Sequence, residues 1–324
     1  MISLIVPLYR SEPNLERLFA EVVKLQDRLP EPLELVLVND GSPDNCAAVI
    51  RDRLPHLPLQ ARVVHLSRNF GSFAAIAAGL REGTGDRFAA VAADLQEPPE
   101  LVISFSELLQ RGDIDVVFGY RRSRQDPVLS AFASNLFWAI YRKTVNPDIP
   151  KGGVDVFACT RQVRDQLIAL RELDTNLVAV LFWIGFRRAF VPYDRLPRTE
   201  GRSAWTLARR LRYSINSIFS FTDIPIQFLL ACGAGGTLAG GIIAVAVLIA
   251  RFTGHIQVSG YTALMIAIIF FGSITTFGMG VVGQYLWLSL QLGKQRPPFV
   301  VREVERYDRT VDHNRAAPAC LDRE

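Results

Sequence analysis

Histidine and cysteine are both scarce, with four of each in 324 residues. Cys46, Cys159, Cys232 and Cys320 form no CxxC pair, and no histidine stands at zinc-finger spacing. A structural zinc site and a disulfide framework are therefore excluded, and nothing argues for an oxidising compartment. His56, His65, His255 and His313 are too few and too scattered for a histidine-based triad, and HExxH and GxSxG are absent. Neither a GxxxxGK[ST] nor a strand-borne GxGxxG is present, which removes the P-loop and dinucleotide fingerprints. Charge of one sign is also lacking. Lys+Arg number 36 against Asp+Glu 32, a net +4 that is too small to argue for nucleic acid. With 49% hydrophobic residues, intrinsic disorder is excluded. Met1–Pro7 has no basic n-region and runs directly into an apolar strand, so no signal peptide is expected and the N-terminal part should remain in the cytoplasm.

What the chain has in abundance is apolar sequence, concentrated near its end. Residues 227–250 carry no Asp, Glu, Lys or Arg, and neither do residues 252–293; Arg251 stands alone between them. Roughly 20 apolar residues span a bilayer core. Two transmembrane helices are thus expected, at about 227–250 and 262–288. Arg202, Arg209, Arg210 and Arg212 precede the first, and Lys294, Arg296 and Arg302 follow the second. By the positive-inside rule both termini are cytoplasmic. Just upstream, Leu207, Leu211, Ile215, Ile218 and Phe219 recur at helical spacing with Arg209 and Arg210 off the stripe. An interfacial amphipathic helix is expected over 205–225. Residues 291–324 are then a cytoplasmic tail.

Residues 1–204 form a separate domain. Apolar strands at 3–8, 34–39, 61–66, 88–92 and 115–119 alternate with helical patterns at 14–28, 45–54, 72–83 and 99–111. That alternation predicts an α/β fold with a doubly wound, mostly parallel sheet. Ligands of such sheets bind beyond the carboxyl ends of the strands. Acidic residues stand there: Asp40 after the second strand and Asp94 after the fourth. A carboxylate so placed can bind a nucleoside edge or a divalent metal, or simply make a turn.

Five segments in order, VPLYRSEPN (6–14), VNDGS (38–42), LSRNFG (66–71), ADLQEPPE (93–100) and YRRSRQD (120–126), followed by two apolar runs, resemble the family 2 glycosyltransferases of GT-A fold. More narrowly, they are similar to the polyprenyl-phosphate glycosyltransferases, including bactoprenol glucosyltransferases and dolichyl-phosphate mannose synthases. The resemblance covers about residues 1–305. It implies that Pro7, Tyr9, Glu12 and Asp40 line the nucleotide-sugar pocket, with Asp94 beside them. It implies that Asp94 and Gln96 are ligands of Mg²⁺ or Mn²⁺ and of the diphosphate. Arg121, Arg122 and Arg124, with Arg198, Arg202 and Ser203, would hold the acceptor phosphate, and Arg195 would belong to the same closing segment. Asp94, Asp155, Arg122 and Arg124 would take part in the transfer itself. The implied activity moves one sugar, UDP-hexose favoured, from a nucleotide donor to a polyprenyl phosphate such as undecaprenyl phosphate, with inversion. The implied setting is a multi-pass protein of the bacterial inner membrane serving cell-surface glycan synthesis, with a homo-oligomer, a tetramer by resemblance, and no nucleic-acid partner.

Three positions depart from the family pattern. Ala92 stands where DxD has its first aspartate, so a metal site would lean more on substrate phosphates and waters. Ala204 replaces a lysine of the closing segment, and Arg10-Ser11-Glu12 replaces NEE. Ala92 also suits a rival reading, a non-catalytic nucleotide-sugar-binding scaffold in a glycan assembly complex. A processive polysaccharide synthase of the same fold is the other rival, and the chain lacks the QxxRW motif and the additional spans expected of one.

Overall fold

A computed structural model describes residues 1–122, 156–170, 177–196, 260–293 and 297–308, with isolated positions between 150 and 253. Arg124, Asp155, Arg198, Arg202, Ser203 and the expected interfacial helix lie outside the described residues. The chain divides into two compact units. One comprises Met1–Ile140, Asp148–Leu207 and Pro297–Glu324, and the other Tyr141–Pro147 and Ala208–Arg296.

The first unit is built on eight strands: β1 (Ile2–Leu8), β2 (Leu33–Asn39), β3 (Gln60–Leu66), β4 (Arg87–Ala90), β5 (Val116–Arg121), β6 (Val156–Thr160), β7 (Arg188–Tyr193) and β8 (Val301–Tyr307). They form one sheet in the order β7-β5-β6-β4-β1-β2-β3-β8. Parallel pairing joins β1 to β2 and β4, β2 to β3, and β5 to β7. The expected parallel sheet is thus mixed, because β6 runs antiparallel between β4 and β5, and β8 antiparallel along β3. The segment expected as a tail therefore contributes a sheet edge. Its sequence, VREVERY, carries four charged residues in seven, as an exposed edge strand should.

β2 is buried at all seven positions because it lies between β1 and β3 with both faces covered. α1 (Leu15–Arg28) puts Leu15, Leu18, Phe19, Val22 and Leu25 on one face at helical spacing and buries them in the core. α2 (Cys46–Arg53) follows β2. α3 (Ser72–Glu82) is alanine-rich because it lies close on the sheet: a Cβ at Gly79 would sit 2.4 Å from Ile5 Cγ2 and 3.0 Å from Val38 Cγ2. α4 (Pro99–Gln110), α5 (Arg161–Ala169) and α6 (Leu177–Trp183) complete the described α-helices of this unit. Phe182 of α6 stacks on Phe118 of β5, with ring centroids 4.5 Å apart. At the foot of β5, Asp115 receives the Arg187 guanidinium on both carboxylate oxygens at 2.9 Å, fixing where β7 begins.

In the second unit α7 (Tyr261–Gly293) runs for 33 residues, about 50 Å at 1.5 Å per residue. It contains the expected span 262–288 and extends five residues past it, whereas 227–250 is described only at scattered helical positions. Over the described residues no helix is long and apolar enough to cross a membrane, several α7 side chains lying outside that set.

One charged group lies inside the sheet. Glu34 of β2 accepts from Ser3 Oγ at 2.5 Å, Arg62 Nε at 2.7 Å, and Thr84 N and Oγ1 at 2.8 Å each. Burial raises the carboxyl's pKa, but these hydrogen bonds outweigh it, and the net shift is downward from 4.5. A depressed carboxyl contributes stability that is present above its unfolded pKa and is lost as pH falls through the folded one. Thermal melts should thus show stability falling once pH drops below about 4.5. Glu34→Gln should cost about 3 kcal/mol at pH 7 and flatten that acid limb. Wild-type-like melting of the variant at pH 7 would contradict this account.

Candidate active site

The sheet order places a crevice at one end of β1. β2 and β3 lie to one side of β1 and β4 to the other, the arrangement at which open α/β sheets bind ligands. β4 pairs with β1 only from Ile2 to Ile5, and beyond that β1 runs on without a β4 neighbour. Pro7 falls in this stretch, so its missing N–H breaks no ladder bond on that side. β1, β2, β3, β4, β5 and β7 all end at the same edge of the sheet, and β6 begins there. Topology thus brings Tyr9, Glu12, Asp40, Asp94, Gln96, Arg121, Arg122 and Arg195 to one edge of the sheet.

Three loops at this edge are tied together by short polar side chains. Asp40 is 2% exposed, and its two oxygens accept from Phe70 N at 2.7 Å and Gly71 N at 2.9 Å. Its chemistry here is to fasten the β3–α3 loop to the end of β2. The pKa of its carboxyl is raised by burial, against the pull of the two amides and of Arg68. Ser42 Oγ accepts from Arg10 N at 2.7 Å and donates to Asp44 Oδ1 at 2.6 Å. Asp44 Oδ2 accepts from Glu12 N at 3.1 Å, and Glu12 in turn accepts from Asn45 N at 3.0 Å. Glu12, expected to line the nucleotide pocket, therefore joins the β1–α1 loop to the start of α2. Tyr9 is 41% exposed, and the Arg10 guanidinium lies 5.6 Å from its ring centroid. Sequence reading missed Ser42, Asp44 and Asn45, although the polar cluster GSPDN directly after β2 was the available signal.

On the other lip, Asp94 is half-buried, and its Oδ1 lies 3.4 Å from Gln96 N. Gln96 was expected beside it as a metal ligand. Instead its Oε1 accepts from the Arg195 guanidinium, its Nε2 donates to Leu196 O at 3.1 Å, and its own carbonyl accepts from Leu196 N at 2.9 Å. A carbonyl oxygen already facing a cation is a poor ligand for a second one, so Gln96 fastens the segment after β7. Arg122 N donates to Tyr193 O at 3.0 Å, and its guanidinium lies 3.6 Å from Asp194 with both side chains well exposed. Such a pair holds little energy and leaves the guanidinium available to an anion. The two described non-glycine residues with positive φ, Arg10 (53°) and Leu95 (51°), flank the crevice at the ends of β1 and β4. Backbone strain of this kind concentrates at functional sites.

Among the described residues no group of three His, Cys, Asp or Glu could hold a metal. Asp94 by itself fits a hard divalent ion of the Mg²⁺ type, which takes one or two carboxylates and completes its shell with substrate phosphates and water.

The glycosyl transferase family 2 profile matches residues 3–169, the stretch holding all of these strand ends except that of β7. The chain belongs to glycosyl transferase family 2. This family 2 member is 31% identical over 304 residues to an uncharacterized glycosyltransferase of Synechocystis sp., covering 94% of this chain and 95% of the relative. It is 28% identical to the SfII prophage-derived bactoprenol glucosyl transferase of Shigella flexneri, over 94% of this chain and 98% of that one. A prophage bactoprenol glucosyl transferase homolog of Escherichia coli matches at 28%, covering 94% and 99%. Among solved structures it is similar to a mannosyltransferase of Pyrobaculum calidifontis, with TM-score 0.44 and 16% identity, covering 88% and 87%. The mixed α/β sheet is GT-A-like, as the sequence motifs implied.

Gly41 joins the Asp40 turn to the neighbouring loop. It has φ +60°, and a Cβ there would meet Arg68 C at 2.5 Å and Asn69 N at 2.7 Å, both backbone atoms. Gly41→Ala should destabilise the protein by about 3 kcal/mol, from the left-handed backbone and the clash together. A melting temperature equal to wild type would show that the turn can move aside.

Proposed function

We propose that this family 2 glycosyltransferase moves a single hexose from a nucleoside-diphosphate donor, UDP-hexose favoured, to a polyprenyl phosphate such as undecaprenyl phosphate. The observation that carries the reading is the presence, at one sheet edge, of both the half-buried Asp94 and the arginines at the ends of β5 and β7. The names of the bactoprenol glucosyl transferase relatives support the lipid acceptor.

The chemistry suits these residues. A lipid monophosphate has its second pKa near 6 and is largely dianionic at neutral pH. It is already a nucleophile, so no strong general base is required. One of its oxygens bonds to the anomeric carbon, the bond from that carbon to the diphosphate breaks, and the nucleoside diphosphate leaves with the electron pair. A single displacement inverts the configuration. The task left to the protein is to bring two anions together. Arg121 and Arg122, with Arg124, Arg198 and Arg202, would hold the lipid phosphate through planar forks. A divalent ion held at Asp94 would neutralise charge on the diphosphate. Tyr9 and the Asp40–Ser42 turn would bound the nucleoside, and Asp155 would stand near the reacting carbon.

We further propose that the segments at 227–250 and 262–288 cross the bacterial inner membrane with the catalytic unit in the cytoplasm. The supporting features are the charge-free runs and the large apolar side chains that α7 leaves exposed, Leu264, Met279, Leu286 and Trp287 among them. Ala92, in place of a second carboxylate, favours one other reading, a nucleotide-sugar-binding scaffold without turnover.

The test is transfer from a panel of labelled UDP- and GDP-sugars to undecaprenyl phosphate by the full chain in detergent. A lipid product carrying one sugar is expected, lost with EDTA and reduced at least ~100-fold by Asp94→Ala. Donor binding without product would support the scaffold. Product that survives EDTA would remove the metal from Asp94.

A further inference from the structure

His65 lies in β3 and is 1% exposed, outside the site described above. Its ring bridges two strands. Nδ1 is 3.2 Å from Asn39 Nδ2 on β2, and Nε2 is 3.1 Å from Glu305 Oε1 on β8. The proton count on these contacts is fixed by the neighbours. Asn39 Oδ1 accepts from Ser42 N at 2.9 Å, so the amide cannot flip without setting its NH₂ against that N–H. Asn39 Nδ2 therefore donates, His65 Nδ1 accepts, and the ring proton sits on Nε2, donated to Glu305. Glu305 is held in turn by Arg51 of α2 at 2.7 Å and by the Tyr307 hydroxyl at 2.5 Å.

We propose that His65 is a positioning residue for the donor end of the site, transmitting the placement of the C-terminal strand β8 through Asn39 to the Asp40–Ser42 turn. The polar chain runs without a break from Glu305 through His65, Asn39 and Ser42 to Arg10 and Asp44. A second proton on His65 would face the Asn39 NH₂ and disrupt this chain. The surroundings oppose that proton. Burial lowers the imidazole pKa, Glu305 raises it, Arg51 and Arg302 lower it, and the net direction is down from 6.5. β8 follows the apolar segments in sequence, so the last part of the chain helps to set the first binding loops. This inference rests on the donor-site reading.

Titration calorimetry of the full chain in detergent, with UDP and with GDP in the presence of Mg²⁺, tests it. His65→Leu should weaken nucleotide binding about tenfold while leaving KM for undecaprenyl phosphate within about twofold of wild type. His65→Gln should restore most of the affinity, since its Oε1 can accept from Asn39 while its Nε2 donates to Glu305. Glu305→Ala, at the far end of the chain, should weaken binding in the same direction by about threefold, and carries the test if His65→Leu does not fold. Imidazole ¹⁵N shifts should place His65 in the neutral Nε2–H form above about pH 6.5. A lowered melting temperature with unchanged nucleotide affinity would make His65 merely structural and overturn the proposal, as would an Nδ1–H ring. Wild-type protein that binds neither nucleotide would instead overturn the donor-site reading itself.

Discussion

The carboxylate of Asp40 takes the backbone amides of Phe70 and Gly71 from a loop thirty residues away, at the point where β2 ends. It adds to the β2–β3 ladder and to the Asn39–His65 side-chain link in holding the two strand ends together, and it keeps the Arg68–Asn69 backbone against the turn that carries Gly41. A buried carboxylate is costly unless hydrogen-bonded, so the contact is specific: no apolar side chain could replace it and still satisfy two loop amides. Around it the shorter links through Ser42, Asp44 and Glu12 hold the β1 and β2 loops in one arrangement. Preorganisation of this kind lowers the ordering cost when a ligand arrives.

The two lips of the crevice are made differently. Toward β2 and β3, short acidic and hydroxylic side chains satisfy backbone amides. Toward β5 and β7, arginines stand at strand ends, with Arg195 on Gln96 and Arg122 loosely beside Asp194. A nucleoside offers amide-like edges and a ring face, whereas a diphosphate and a lipid phosphate offer charge. The chemical asymmetry of the site therefore matches that of the two substrates proposed for it, with Asp94 at the boundary.

Much of this was legible in the sequence. The strands at 3–8, 34–39 and 61–66 and the helices at 14–28 and 99–111 were found within a residue or so of their bounds, because buried parallel strands read as apolar runs and α1 keeps a helical stripe. β6, β7 and β8 were not assigned. VREVERY is a charged edge that looks like solvent-exposed tail until it pairs with β3. The site was legible as residue types at strand ends, but the jobs of particular side chains were not. Gln96 read as a metal ligand beside Asp94, and only its contact with Arg195 showed it spent on a neighbouring segment.

The sequence by itself determined the chemistry available: acidic groups at the ends of β2 and β4, arginines after β5 and β7, an incomplete DxD, and two charge-free runs. These follow from local order, because a strand end and its next residues are contiguous in the chain. The tertiary structure decided which of those groups meet. His65 and Glu305 are 240 residues apart, and Gln96 and Arg195 are 99 apart. No periodicity encodes such pairs, since they exist only once the sheet has set β8 beside β3 and β7 beside β5.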